Sequence, residues 1–234
     1  VEDFVFDNIN LDSGNQMVSA GLNNLFGEVI WFYPQSNSSV VNRMVAYNYF
    51  DSSPQRPVWT VGSLARTMWR DSAVFGKPHA LEYDASTDTS FDVIGNTEGR
   101  TSYYEHETGT DQNRNGTITA IAANIESGDF DITQRAQGVA DIRGDGEFLM
   151  KIRRFIPDFI SQTGTTRITL QLRNFPNDSQ SSSALGPFDI TSSTKKIDTR
   201  ARARAIALKV ANTSTSQNWK LGTFRLDIQP DGRR

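Results

Sequence analysis

Apolar and polar residues alternate with a period of two along the C-terminal half of the chain. Between 148 and 156, Phe148, Met150, Ile152, Arg154 and Ile156 share one parity, against Leu149, Lys151, Arg153 and Phe155. Ile168, Leu170 and Leu172 stand against Arg167, Thr169, Gln171 and Arg173, and Phe224, Leu226 and Ile228 against Thr223, Arg225, Asp227 and Gln229. Successive side chains of a strand point to opposite faces, so the pattern predicts antiparallel sheets with one face buried. Residues 126–234 are therefore expected to form an antiparallel β-sandwich, with Ile152, Ile168, Leu170, Phe224, Leu226 and Ile228 in its core.

The N-terminal half consists of shorter and less regular runs. Aromatic and β-branched segments near 28–33, 43–50, 57–61, 66–71, 79–83, 90–94, 101–107 and 117–126 are separated by Gly, Asn, Asp, Ser and Pro. Strands of this length and spacing suit propeller blades or a sandwich. Residues 1–125 read as a propeller-like or irregular β region, although no exact repeat of fixed period marks out blades. Helical periodicity reaches only single turns, at Gly21–Phe26 and Gln134–Val139, so the fold class is all-β. Trp31, Trp59 and Trp69 lie on three of the strand segments and read as core filling rather than as a sugar-binding platform. Asn177–Ser183 and Asn212–Gln217 are polar and read as loops.

Length and composition add exclusions. The 234 residues, 37% of them hydrophobic, suffice for one large β domain or two ordinary ones. No apolar run approaches the ~20 residues of a membrane helix, so no membrane insertion is expected. The chain opens at Val1 with no basic and apolar leader, and reads as a fragment of a longer protein. There is no cysteine, which removes disulfides, thiolate nucleophiles and cysteine-based zinc sites. His79 and His106 are the only histidines, too few for a multi-histidine metal centre. Sequons at Asn37, Asn115, Asn177 and Asn212 read as chance products of Ser/Thr-rich loops.

The net charge of −3 conceals an asymmetry. Residues 1–125 carry 7 Lys+Arg and 15 Asp+Glu, whereas 126–234 carry 17 and 12. Opposite charges suit head-to-tail contact between identical subunits, or reflect two domains of different composition.

Few motifs carry chemistry. Asp111, Asn113 and Asn115 followed by Gly116 match the first six positions of a calcium loop, but Ala122 stands where the bidentate Glu belongs. The preferred reading is a hairpin turn on Asn115-Gly116. Glu105 and Glu107, and Glu82 and Asp84, are i, i+2 carboxylates that would share a strand face at a separation a glycosidase could use. Solvated or inter-subunit carboxylates are the preferred reading. Arg143-Gly144-Asp145 lies in a Gly-rich turn and is read as noise. No phosphate loop, nucleophile elbow, cofactor motif or catalytic set is present in the sequence.

The stretch Lys195, Lys196, Arg200, Arg202 and Arg204 is the candidate site, at a subunit interface or a lumen. On one continuous strand the three arginines would share a face that runs on into Ile206, Leu208 and Val210, opposite Ala201, Ala203, Ala205 and Ala207. Its partner is either nucleic acid or the carboxylates of a neighbouring subunit. The absence of interleaved aromatics favours the protein partner.

Several segments resemble the nozzle or hub proteins of bacteriophage tails, the tail tubular protein B-like or packaged-DNA stabilisation-like family, in its C-terminal part. They are Asn24–Pro34, Tyr47-Asn48-Tyr49, Ala65–Trp69, Tyr104–Gly109, Ile125–Phe130, Ile156–Phe159, Gly186-Pro187-Phe188, Arg200–Arg204, Trp219–Gly222 and Pro230–Arg234. The family pattern often has glycine where this chain has Ala203. The resemblance implies a virion tail protein assembled as a ring, expected to be a hexamer, below a portal or adaptor. It also implies other tail proteins as partners, transient non-specific contact with genomic DNA, and no enzymatic activity. A receptor- or carbohydrate-binding tail module using the tryptophans, and a propeller glycosidase using Glu105 and Glu107, are the competing expectations.

Overall fold

The computed structural model describes residues 1–14, 17–72, 75–84, 100–114, 116–132, 148–175, 177–178 and 183–232. Nearly everything described is strand or turn, and all pairing between strands is antiparallel. The chain divides into two compact units, Val1–Thr108 and Gly109–Arg234. The division comes earlier than the expected 125/126, because residues 111–126 contribute strands to the second unit. The expected strand at 90–94, the turn at Gln134–Val139 and Arg143-Gly144-Asp145 lie outside the described residues.

In the first unit, two short helices, α1 (Glu2–Phe6) and α2 (Leu11–Gly14), precede a four-stranded meander. Its strands β1 (Ser19–Asn23), β2 (Glu28–Tyr33), β3 (Arg43–Ser53) and β4 (Arg56–Gly62) pair in chain order. β5 (Met68–Arg70), β6 (His79–Asp84) and β7 (Arg100–Glu105) form a second sheet. A single four-stranded and a single three-stranded meander match the irregular alternative, with no ring of blades among the described residues. Gly21–Phe26 is not a helical turn: it ends β1 and enters a tight turn over Asn24–Gly27. Period-two exposure on β1, with Gly21 and Asn23 turned inward, wins over the weak helical spacing.

One face of the four-stranded sheet buries Ile30, Phe32 and Ala46 together with Val41, and Trp69 packs on Phe32 at 5.7 Å between ring centroids. Gly21 is required there, since a Cβ at this position would fall 2.3 Å from Cδ1 of the Trp69 indole. The indole N–H donates to the Leu22 carbonyl at 2.8 Å, which fixes the ring.

In the second unit, a hairpin of β8 (Asp111–Arg114) and β9 (Thr117–Ala120) is followed by β10 (Ala123–Glu126), β11 (Met150–Ile156) and β12 (Phe159–Thr163). Next come β13 (Thr166–Arg173), β14 (Ala184–Ile190), β15 (Ile197–Ala203), β16 (Ala205–Asn212), β17 (Asn218–Leu221) and β18 (Arg225–Pro230). One sheet has the order β10-β16-β13-β14 and the other β15-β11-β18, with β12 and β17 as a separate ribbon. Met150, Ile152, Phe155, Ala201 and Ala203 of one sheet join Ile168, Leu170, Ile190, Ile206, Leu208 and Val210 of the other in a single core. This is the sandwich expected from the alternation. Ile152, Ile168 and Leu170 are fully buried, while Phe224, Leu226 and Ile228 are half-buried against the same core.

Two details depart from strict period two. β11 shifts register against both neighbours between Ile152 and Arg154: against β18 the extra residue is Arg153 on β11, a bulge, whereas against β15 the extra residue lies on β15. The bulge at Arg153 reverses the inward parity, so Phe155 is 1% exposed and Ile156, expected inside, is 36% exposed. The second departure is at Arg204. Residues 197–212 are two strands in different sheets, not one. Arg204 is the corner, its amide donating to the Arg173 carbonyl at 3.0 Å. Ala201 and Ala203 point inward before it, and Ile206, Leu208 and Val210 after it. Leaving one face of the core for the other exchanges the parity that faces inward.

These parities yield a direct test. Phe155→Ala is expected to cost about 3–5 kcal/mol of stability, and Ile156→Ala well under half of that. Urea denaturation of the two variants measures the difference; equal costs would restore the unbroken alternation.

Candidate functional site

β15 and β11 lie side by side, and their outward residues bring the cations of the second unit together. Lys151 is directly opposite Arg202, and Ile152 opposite Ala201. Lys151, Arg153, Arg200 and Arg202 line a recess of about 600 Å³ with Thr199, Ala201 and Asp231. Thr199 and Ala201 are buried, Thr199 donating its hydroxyl to the Ile152 carbonyl at 2.9 Å. Only the cationic side chains and Asp231 therefore project into the recess. Along each strand the i, i+2 cations are about 7 Å apart, and the strands are about 4.8 Å apart.

Not all of this charge is compensated. Arg202 Nε lies 2.6 Å from Asp231 Oδ2, and its Nη2 donates to the Asp231 carbonyl at 3.1 Å. Arg154 and Lys196 both bind Asp198, at 2.8 and 3.0 Å. Arg154 donates to Asp198, which holds the carboxyl below the usual range, with Lys196 adding to the effect. Lys151, Arg153 and Arg200 have no ion-pair partner among the described residues.

The five candidate residues separate. Arg200 and Arg202 stand on the outward face of β15, Lys195 and Lys196 precede that strand, and Arg204 turns the corner between the sheets. The single stripe running into Ile206, Leu208 and Val210 does not form, because the strand ends at Ala203. Lys151 and Arg153 were missed. The Arg153-Arg154 doublet interrupting the alternation was the available signal, since two consecutive outward residues require a bulge.

The other candidates resolve into local structure. β8 and β9 form the expected hairpin, with Gly116 at φ +86°. The Asn113 side-chain oxygen accepts from the Gly116 amide at 3.0 Å. Both Asp111 carboxylate oxygens accept from the Ser216 amide, each at 2.9 Å. Glu105 and Glu107 do not share a strand face, because β7 ends at Glu105 and Glu107 adopts φ +57°. Glu105 is 2.9 Å from Lys77 Nζ, and this hydrogen bond lowers its pKa, opposite to the direction an acid catalyst needs. Glu107 accepts from the Asn23 amide at 3.1 Å. The Glu28 pKa is raised, by burial first and the charge of Glu107 second.

Glu82 belongs to a buried polar cluster. Arg66, 4% exposed, donates to Glu82 at 2.7 Å and through Nε to His106 Nε2 at 2.9 Å. Its guanidinium carbon lies 4.1 Å from the centre of the Tyr104 ring. Because Arg66 can only donate, His106 must accept through an unprotonated Nε2. Burial, then the charges of Arg66 and His79, push the His106 pKa down to about 4.

The tryptophans part company. Trp69 is core, but Trp59 on edge strand β4 is 39% exposed and lies 6.1 Å from Trp31 and 4.9 Å from Tyr47. These rings occupy the sheet face opposite the Ile30–Phe32 core, beside the N-terminal segment. Trp31 and Trp59 line a groove of about 520 Å³, walled by Val1, Val5, Phe6 and Ile9.

No protein-family model matches this sequence, and no curated protein matches it.

The buried cluster predicts a pH dependence. His106 binds fewer protons folded than unfolded, so its contribution to stability is present above about pH 6.5 and is lost as pH falls toward about 4. His106→Gln, which keeps an acceptor for Arg66, should flatten the melting-temperature profile across that window. An unchanged profile would show that His106 is not the titrating group. Glu82→Gln strands the Arg66 charge and should cost about 3–5 kcal/mol, measured by denaturant unfolding.

Proposed function

We propose that this chain is a structural subunit of a bacteriophage tail, a nozzle or hub component. Copies of it form a ring-shaped conduit that retains packaged DNA and passes it at infection. The observation carrying this reading is the polarity of charge between the two compact units. Val1–Thr108 holds 6 Lys+Arg and 14 Asp+Glu, and Gly109–Arg234 holds 18 and 13. Closed rings use heterologous contacts, in which one face of each subunit meets a different face of the next. Units of opposite sign supply such faces. Each exposed pair contributes only ~0–1 kcal/mol, so the association is distributed and weakened by salt. The segment resemblances, spread from Asn24 to Arg234, support the same reading.

Electron microscopy of a particle carrying a tag on this chain tests it. A ring of copies in the tail is expected, and native mass spectrometry should find oligomers that dissociate as salt rises. Location in a fibre or the capsid shell would overturn the proposal.

The Trp31–Tyr47–Trp59 row favours a second reading, a receptor- or carbohydrate-binding tail module, because exposed indoles stack on sugar faces. Titrating host-surface glycans against tryptophan fluorescence decides between them. The conduit reading expects no saturable quenching; quenching abolished by Trp59→Ala would favour the receptor module.

A further inference from the structure

The outward face of β15-β11-β18 differs in kind from a protein-binding surface. From β15 it presents Asp198, Arg200 and Arg202, from β11 Lys151, Arg153 and Arg154, and from β18 Arg225, Asp227 and Gln229. Apolar side chains are confined to its margin, at Ile156. Stable protein–protein interfaces have an apolar core from which charged residues are depleted. This face has the reverse distribution, with cations at its centre. The bulge at Arg153 heightens the crowding, turning two consecutive arginines away from the core.

From this geometry we propose that Lys151, Arg153, Arg200 and Arg202 form a binding site for the sugar-phosphate backbone of nucleic acid. Cations about 7 Å apart along a strand and about 4.8 Å apart across strands engage several phosphates at once. Phosphates approaching this face meet Lys151, Arg153 and Arg200, whose charge has no ion-pair partner among the described residues. Asp231 orients the Arg202 guanidinium by accepting from its Nε at 2.6 Å. No aromatic side chain among the described residues lines the recess, so the contact is to the backbone and independent of sequence. The partner is thus the phosphate backbone, in place of the acidic protein surface expected from the arginine stripe. This stripe does not exist as one face, since Arg204 leaves it at the corner.

The proposal adds a contact surface to the conduit reading and rests on that reading for its biological setting. Its test is separate, because a ring can assemble whether or not this face binds DNA. The full chain is titrated into a fluorescein-labelled duplex of mixed sequence at increasing sodium chloride, and anisotropy is followed. Binding is expected with a log–log salt slope of about −3 to −4, as four phosphate contacts require. Each of Lys151→Gln, Arg153→Gln and Arg200→Gln should reduce the slope by about 1, uniformly across duplex sequences. The quadruple variant including Arg202→Gln should bind at least tenfold more weakly. A charge-matched control with Arg167→Gln, Lys195→Gln, Lys209→Gln and Lys220→Gln should retain most of the affinity, with circular dichroism confirming that both variants fold. Equal losses in the two variants would reduce the effect to net charge and overturn the site. Unchanged DNA binding by the site variant, with self-association lost in sedimentation, would assign the face to a second copy of the chain instead.

Discussion

A strand shows alternate side chains to its two faces, so a sandwich core closes only if each strand keeps its apolar parity inward or changes parity where its backbone changes. The second unit depends on two such changes. Without the bulge at Arg153, Phe155 would leave the core and Arg154 would enter it. Without the corner at Arg204, either Ala201 and Ala203 or Ile206, Leu208 and Val210 would face water. Both slips occur at arginines. Their long side chains reach solvent from positions where the chain is bending, so neither slip buries an unpaired charge.

The same slips determine the distribution of charge. In the straight-strand pattern, Arg200, Arg202 and Arg204 would form a line leading into an apolar face. In the folded unit the line is cut after Arg202, and the bulge contributes Arg153 and Arg154 beside it. A line becomes a two-dimensional patch. Asp198, Asp227 and Asp231 at its borders temper the repulsion without cancelling it, since Asp198 takes both Arg154 and Lys196 while Asp231 takes Arg202.

How much could be read in the sequence follows from what each signal measures. Alternation reports burial face and length, so β2 at Glu28–Tyr33 coincides with its expected bounds and β13 at Thr166–Arg173 contains the alternating run from Arg167 to Arg173. It is blind to which sheet a strand joins. The run from Arg200 to Val210 therefore reads as continuous, and a boundary at 125/126 falls inside β10. The i, i+2 rule grouped Glu105 with Glu107, but β7 stops between them. Arg66 carried no sequence signal either. A lone arginine becomes a buried centre only when Glu82, Tyr104 and His106 converge on it from residues 16 to 40 positions away. The Arg153-Arg154 doublet was legible in principle, because nothing other than a bulge turns both outward from one strand.

The two units divide the chemistry of recognition. In the first, Arg66, Glu82, His106, Glu105 and Lys77 are tied into structure. Arg66 is satisfied by Glu82 and a neutral His106, and Glu105 is held ionised by Lys77. Beside its exposed acids this unit also carries a partly exposed aromatic row, Trp31, Tyr47 and Trp59. The second unit has its aromatic rings Phe155 and Phe224 stacked at 5.8 Å in and against the core, and leaves uncompensated cations outside. A surface of flexible cations binds through counterion release, which works at many registers along a polymer and is readily reversed. The proposed conduit would call for that kind of contact, since a surface gripping one register tightly would stall a polymer moving past it.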